Sequence, residues 1–206
     1  MRSRLGILLS GRGSNFLAIA EAIRAGRLEG AEIAVVLSNR DEAPGLQAAH
    51  GLGLPAVLVR SKGRSREEQD AEMVAVLEAH GVDLVCLAGY MRVLTPAFLR
   101  AFPDRVLNIH PSLLPSFPGL HAQQQAFAYG VAVAGCTVHF VDEELDHGVI
   151  VCQRAIAVQE EDTAETLAAR ILVQEHLAYV EGIRRVLGGA YQVRGRRLER
   201  ASPTDM

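Results

Sequence analysis

VDLVCLAGYMRVLTPAFLRAFPDRVLNIH, residues 82–110, holds two short apolar runs, 82–89 and 105–110, with TPAFLRAF (95–102) between them in helical spacing. Runs apolar at consecutive rather than alternate positions suit strands covered on both faces. Strand, helix and strand in succession predict a parallel pair, with Thr95 placed to cap the helix. The last run also presents Asn108 and His110, two apart and therefore on one face, while Leu107 and Ile109 point to the other.

The same alternation extends towards the N-terminus. RLGILLS (4–10), AEIAVVLS (31–38) and LPAVLV (54–59) read as strands. NFLAIAEAIRAGRL (15–28), PGLQAAHGLG (44–53) and SREEQDAEMVAVLEAHG (65–81) read as helices, the last with Ser65 as N-cap and Gly81 as stop. Repeated β-α units predict an α/β fold: a Rossmann-like, doubly wound, mostly parallel sheet with helices on both faces. Beyond residue 120 the pattern changes. AQQQAFAYG (122–130) suggests a short helix, and VAGCTVHFV (133–141) with VIVCQRAIAV (149–158) an antiparallel extension. TAETLAARILVQEHLAYVEGIRRVLGG (163–189) reads as one long amphipathic helix, YQVRGRRLE (191–199) as a hairpin and ASPTDM (201–206) as a disordered tail. One domain is expected over 1–206, with an ordered core from about 4 to 195.

At 206 residues the chain buries a core without staples, and 49% hydrophobic with 22% charged residues excludes disorder. A formal charge of −3 offers no basic field for a nucleic-acid backbone. Cys86, Cys136 and Cys152 lie inside apolar runs without metal or redox spacing and read as buried thiols. The opening MRSRLGILLSGRGSN has too short an apolar run for a signal peptide or a membrane span, so a cytoplasmic location is expected.

Ligands of open parallel sheets gather at the carboxyl ends of the strands. After the first strand stands Gly11-Arg12-Gly13-Ser14-Asn15, a strand-to-helix turn whose amides suit an anion. Phe16 stands where a dinucleotide fingerprint wants a third glycine, so a phosphomonoester is the better match. After the fifth strand come Asn108 and His110, an amide donor beside an imidazole, then Pro111, Pro115 and Pro118 in a stiffened loop. The acidic turn Asp142, Glu143, Glu144, Asp146 is of a kind usually solvated, yet Asp146 is placed to fold back over the sheet edge, where a carboxylate favours the imidazolium of His110. His139 and His147 lack ligand spacing, and no metal is assigned.

GRGSN (11–15), SREEQDAE (65–72), LAGYMRVL (87–94), NIHPSLLPSFPGLHAQQQA (108–126) and VHFVDEELDHG (138–148), in order, resemble the phosphoribosylglycinamide formyltransferases, folate-dependent enzymes of purine synthesis. The resemblance covers about residues 4–187 and implies the formyltransferase fold, with formyl transfer from 10-formyltetrahydrofolate, a co-substrate, to the amine of glycinamide ribonucleotide. It implies that Gly13, Ser14 and Asn15 hold the ribonucleotide phosphate and Glu175 its ribose. It further implies that Arg66, Met91, Arg92, Val93 and Leu94, with Asn108, Asp142 and Asp146, bind the folate. Asn108, His110 and Asp146 match the catalytic trio, acting by direct transfer through a tetrahedral intermediate. No metal, nucleic acid or membrane is implied, and a monomer and a homodimer are both compatible. The chain departs from the family pattern at His147 and Val149, where a second glycine or a proline is common, and at Gln123, where histidine is frequent.

Rivals divide by chemistry. A formyltetrahydrofolate deformylase uses a similar trio with water as acceptor, but resembles this chain only beyond an added N-terminal domain. Methionyl-tRNA formyltransferase shares SLLP and continues into an arginine-glycine pair, where this chain has SFPG. A binding module without chemistry has no need of Asn108, His110 and Asp146 together, and a nicotinamide dehydrogenase fails at Phe16.

Overall fold

A computed structural model of the chain describes residues 2–189 and 191–200. They form two compact units, one up to Asn108 and one from Ile109 onward. The first unit runs β1 (Ser3–Leu9), α1 (Ser14–Arg24), β2 (Ala31–Ser38), α2 (Pro44–Gly51), β3 (Ala56–Leu58), α3 (Arg66–Ala79), β4 (Leu84–Leu87), α4 (Pro96–Ala101) and β5 (Val106–His110), whose last two residues open the second unit. Its strands pair in parallel in the order β3-β2-β1-β4-β5. Leu5, Ile7, Leu8 and Leu9 of β1 are fully buried, as its continuous apolar run requires of a central strand.

The chain leaves β1 in one direction for β2 and β3 and returns on the other side for β4 and β5. The sheet order therefore reverses between β1 and β4, and the loops after these two strands flank the crevice where such sheets bind ligands. The loops are tied together: the Ser10 amide donates to the Gly89 carbonyl at 3.1 Å, and the Met91 amide to Ser10 Oγ at 2.9 Å.

Local signals set the helix ends. Ser65 and Glu68 form a reciprocal capping box, with Glu68 N to Ser65 Oγ at 3.1 Å and Ser65 N to Glu68 Oε2 at 3.0 Å. The helix stops where the Val82 amide bonds the Leu77 carbonyl and the Gly81 amide that of Glu78, the paired pattern that satisfies final carbonyls. Thr95 caps α4, and the buried Asp70 carboxylate accepts the Thr95 amide at 2.6 Å. The expectation for 54–59 needs correction: only Ala56–Leu58 forms a strand, and it is half-buried, because it pairs with β2 alone and Pro55 has no amide to donate.

The second unit continues with α5 (Ala122–Tyr129), β6 (Val133–Phe140), β7 (Ile150–Ala157), α6 (Ala164–Leu187), β8 (Tyr191–Arg194) and β9 (Arg197–Arg200). Its strand order is β6-β7-β9-β8, with β6 and β7 antiparallel as expected. The predicted hairpin is present as β8 and β9, and it is anchored by parallel pairing of Ile150 with Arg197. Helix α6 turns Leu167, Ile171, Ala178, Tyr179 and Ile183 inward at i, i+3 and i+4 spacings, packing on β6 and β7. All three cysteines are buried thiols outside any disulfide. Burial pushes the Cys136 thiol up to about 12 and the Cys152 thiol to about 11, which makes them poor nucleophiles. The tail 201–206 lies outside the described residues. Among the described residues no helix is long and apolar enough to cross a membrane.

Candidate active site

In the first unit the turn after β1 ends on Gly13, which is the N-cap of α1 at φ 71°, so neither Ser14 nor Asn15 takes that position. No side chain caps this helix, which leaves its positive end to another acceptor. Glycine is required there twice over. The backbone is left-handed, and an added Cβ would lie 3.1 Å from both Gly45 Cα and Leu9 Cδ2. Asn15 is buried and Ser14 half-buried beside it.

Across the crevice of the same unit, Met91 and Val93 are more than half exposed while Leu94 is buried, so the loop presents an apolar surface held by one anchor. The Arg92 guanidinium donates to the Ser61 carbonyl at 3.2 Å, and Arg66 is exposed in the first turn of α3. Buried Ser10 and Asn39, joined by Ser10 Oγ to Asn39 Oδ1 at 2.7 Å, support this edge.

Strand β5 carries half-buried Asn108 and buried His110. In the second unit the His110 Nε2–H donates to the Phe117 carbonyl at 2.9 Å, and Nδ1 stands 3.4 Å from Asp146 Oδ2. Both side chains are under one-tenth exposed, so their interaction is little screened by water. With Nε2 engaged, Nδ1 is the nitrogen that faces the carboxylate. Asp146 reaches this point from a left-handed conformation, φ 51°, and its Oδ2 accepts the Gly119 amide at 2.7 Å. The proline-rich loop is pinned in turn. Buried Thr137 donates through Oγ1 to the Ser112 carbonyl at 2.7 Å and accepts the Leu114 amide at 3.0 Å, while Gln153 Nε2 donates to the Leu114 carbonyl at 2.9 Å.

His139 is the residue that spacing did not single out for this site. It lies on β6 with Nε2 3.8 Å from Asp146 Oδ1, and its Nδ1–H donates to the Phe140 carbonyl at 2.8 Å. Burial holds its pKa below the ordinary 6.5, the Asp146 charge notwithstanding, so it is a neutral ring near pH 7. Asp142 is half-buried with its carboxylate engaged in its own loop: Oδ1 accepts the Glu144 amide at 3.0 Å and Oδ2 lies 2.9 Å from His147 Nδ1. Glu175 is buried on α6, close enough for its charge to raise Cys136. Gln123 is half-buried in the first turn of α5. No group of His, Cys, Asp or Glu among the described residues is placed to hold a metal ion.

Residues 3–183 match the family model described as formyl transferase. The chain belongs to the formyl transferase family. Within it, the chain is 41% identical over 174 residues to phosphoribosylglycinamide formyltransferase of Escherichia coli, covering 84% of this chain and 82% of that one. It is 44% identical over 191 residues to the trifunctional purine biosynthetic protein adenosine-3 of Drosophila melanogaster, covering 91% of this chain and spanning 14% of that protein's length. Among solved structures, glycinamide ribonucleotide transformylase 1 from Symbiobacterium toebii superposes with a TM-score of 0.94 at 48% identity, over 98% of this chain and 95% of that one. A formyltetrahydrofolate deformylase from Pseudomonas syringae superposes at 0.91 with 28% identity, over 98% of this chain and 67% of that one. The α/β architecture of this formyl transferase is thus shared with solved structures named as a transformylase and as a deformylase.

Proposed function

We propose that this formyl transferase moves the formyl group of 10-formyltetrahydrofolate to the primary amine of glycinamide ribonucleotide, giving formylglycinamide ribonucleotide and tetrahydrofolate in purine biosynthesis. The observation that carries the reading is the little-exposed His110–Asp146 side-chain pair, its imidazole oriented through Nε2 so that Nδ1 is left for chemistry. The whole chain acts as one formyltransferase domain in the cytoplasm, on small-molecule substrates, with monomer or homodimer decided by sedimentation.

The residues divide by role. Gly13, Ser14 and Asn15 hold the ribonucleotide phosphate at the uncapped end of α1, and buried Glu175 holds its ribose. Arg66, Met91, Arg92, Val93 and Leu94 take the folate. Exposed apolar Met91 and Val93 suit a flat ring system, and exposed Arg66 suits an anionic tail. Asp142 serves the folate pocket by shaping the 142–146 turn, since its carboxylate is engaged there.

Attack of an amine on a formyl carbon develops negative charge on the formyl oxygen. Asn108 donates to that oxygen, and His110, its Nε2–H held by the Phe117 carbonyl, offers it an Nδ1–H at the edge it turns to the Asp146 carboxylate. The attacking amine loses a proton and the departing folate nitrogen gains one, with His110 Nδ1 and Asp146 as the groups able to carry it. The new C–N bond to the acceptor replaces the C–N bond to the folate, and no covalent enzyme intermediate is required. Orientation of the two substrates supplies roughly 7–11 kcal/mol of the barrier reduction.

Hydrolysis by the same trio differs in its acceptor. The uncapped glycine turn supports the phosphate-bearing acceptor, because water needs no anion site. Tetrahydrofolate release followed by absorbance, with and without glycinamide ribonucleotide, separates the readings. Release only in its presence is expected. Release without it identifies a hydrolase, and release in neither identifies a binding module.

A further inference from the structure

Asp146 occupies a backbone region unfavourable for a residue with a side chain, and the residue after it is held from outside the loop. Arg196, at the turn between β8 and β9, donates through Nη2 to the His147 carbonyl at 2.7 Å and through Nη1 to His147 Nε2 at 2.5 Å. The His147 Nδ1–H in turn donates to Asp142 Oδ2 at 2.9 Å, and Asp142 Oδ1 accepts the Glu144 amide. Guanidinium, imidazole and carboxylate thus form one chain across the 141–149 loop. The pairing of Ile150 with Arg197 sets its register, since it brings the preceding Arg196 beside the loop's return into β7. The far end of the loop is closed by the Phe140 amide bonding the Val149 carbonyl at 2.9 Å.

We propose that Arg196 is a positioning residue: with His147 and Asp142 it clasps the 141–149 loop to the C-terminal hairpin and so holds Asp146 in the conformation that presents its carboxylate to His110. His147 and Asp142 are each 42% exposed, and exposed charge pairs add little to global stability. The Asp146 side chain, by contrast, is only 9% exposed, and its Oδ2 accepts the Gly119 amide and faces His110. The effect of the clasp therefore falls on where Asp146 sits, while the folded state as a whole depends little on it. The histidine matters because its carbonyl and ring present two acceptors to one guanidinium, and its Nδ1–H reaches Asp142. A glycine at 147 offers the carbonyl alone.

This inference rests on the formyl-transfer reading for its kinetic arm and has a second arm independent of it. In the full chain, Arg196→Ala is expected to lower kcat about tenfold with the KM for glycinamide ribonucleotide unchanged, the scale of a modest misplacement of a reacting group. Exchange of the Gly119 amide, followed by NMR, is expected to speed up about tenfold as its bond to Asp146 loosens, while β6 amides and the urea midpoint stay put. Arg196→Lys, which keeps a donor for the His147 carbonyl, is expected to recover most of both effects. Wild-type kcat in Arg196→Ala overturns the proposal whatever Gly119 does, and a lowered kcat with wild-type Gly119 exchange overturns it too. A wild-type chain without formyl transfer defeats the functional reading alone, and the Gly119 exchange then decides whether the clasp holds Asp146.

Discussion

His110 has one ring nitrogen committed to the Phe117 carbonyl and the other turned to Asp146, so a single side chain is both anchored and available. His110→Ala and Asp146→Ala are each expected to lower turnover by at least ~100-fold, the scale of acid/base and oxyanion groups. Calorimetry should show glycinamide ribonucleotide binding retained, because the proposed phosphate site is the glycine turn after β1. Near-normal turnover in both variants rules out the assigned roles. Gly13 gives the complementary case. A bulky residue there must adopt φ 71° against Gly45 and Leu9, so Gly13→Val is expected to weaken the ribonucleotide far more than the folate. Equal loss of both in calorimetry contradicts that division. Asn108 and His110 were legible as a strand-end pair, since alternation along a strand is a local rule. Phe117, Gly119 and His139 were not, because nothing in their local pattern signals a partner fixed by folding.

At the scale of elements, the 141–149 loop depends on close approach as much as on hydrogen bonds. A Cβ at Gly148 would sit 1.9 Å from the Phe140 carbonyl oxygen, within the span where Phe140 and Val149 close the loop. Gly148→Ala is therefore expected to cost both activity and stability, with a lowered urea midpoint and weakened protection of the Phe140 amide. A wild-type midpoint and wild-type turnover together refute this. Helix α3 offers a cleaner energetic test because its capping box is exposed and local. Ser65→Ala removes the acceptor of the Glu68 amide and is expected to cost about 1 kcal/mol in urea unfolding. The N-caps Ser65 and Thr95, the α6 stripe and the hairpin turn were all legible, since each is written within a few residues. The short edge strand at 56–58 was not, because a six-residue apolar run does not reveal how many neighbours will pair with it.

For the whole molecule, stability should fall on mild acidification. His139 and His176 both have pKa values lowered from 6.5 by burial, so the folded state favours their neutral forms. Such groups leave stability intact above about pH 6.5, and it is lost as pH falls through their depressed folded values, since the unfolded chain then binds more protons. Around His139, Asp146 and Asp142 oppose the depression and His110 reinforces it. The urea midpoint at pH 5.5 is expected below that at pH 7.5, and His139→Asn is expected to flatten the difference. An unchanged midpoint between the two pH values refutes the assignment. The carboxyl of Asp162, lowered chiefly by the Gln159 amide, acts in the same direction below its ordinary 3.8. By itself the sequence determined the α/β alternation, the glycine turn after the first strand and the strand-end placement of Asn108 and His110, because periodicity, capping and turn chemistry act over short spans. Only the tertiary structure decided that His110 turns Nδ1 towards Asp146, that a buried neutral His139 lies beside Asp146, and that Arg196 reaches His147 from a hairpin 49 residues away. Those relations depend on strand register and loop closure, which bring distant residues within hydrogen-bond range without leaving any local pattern.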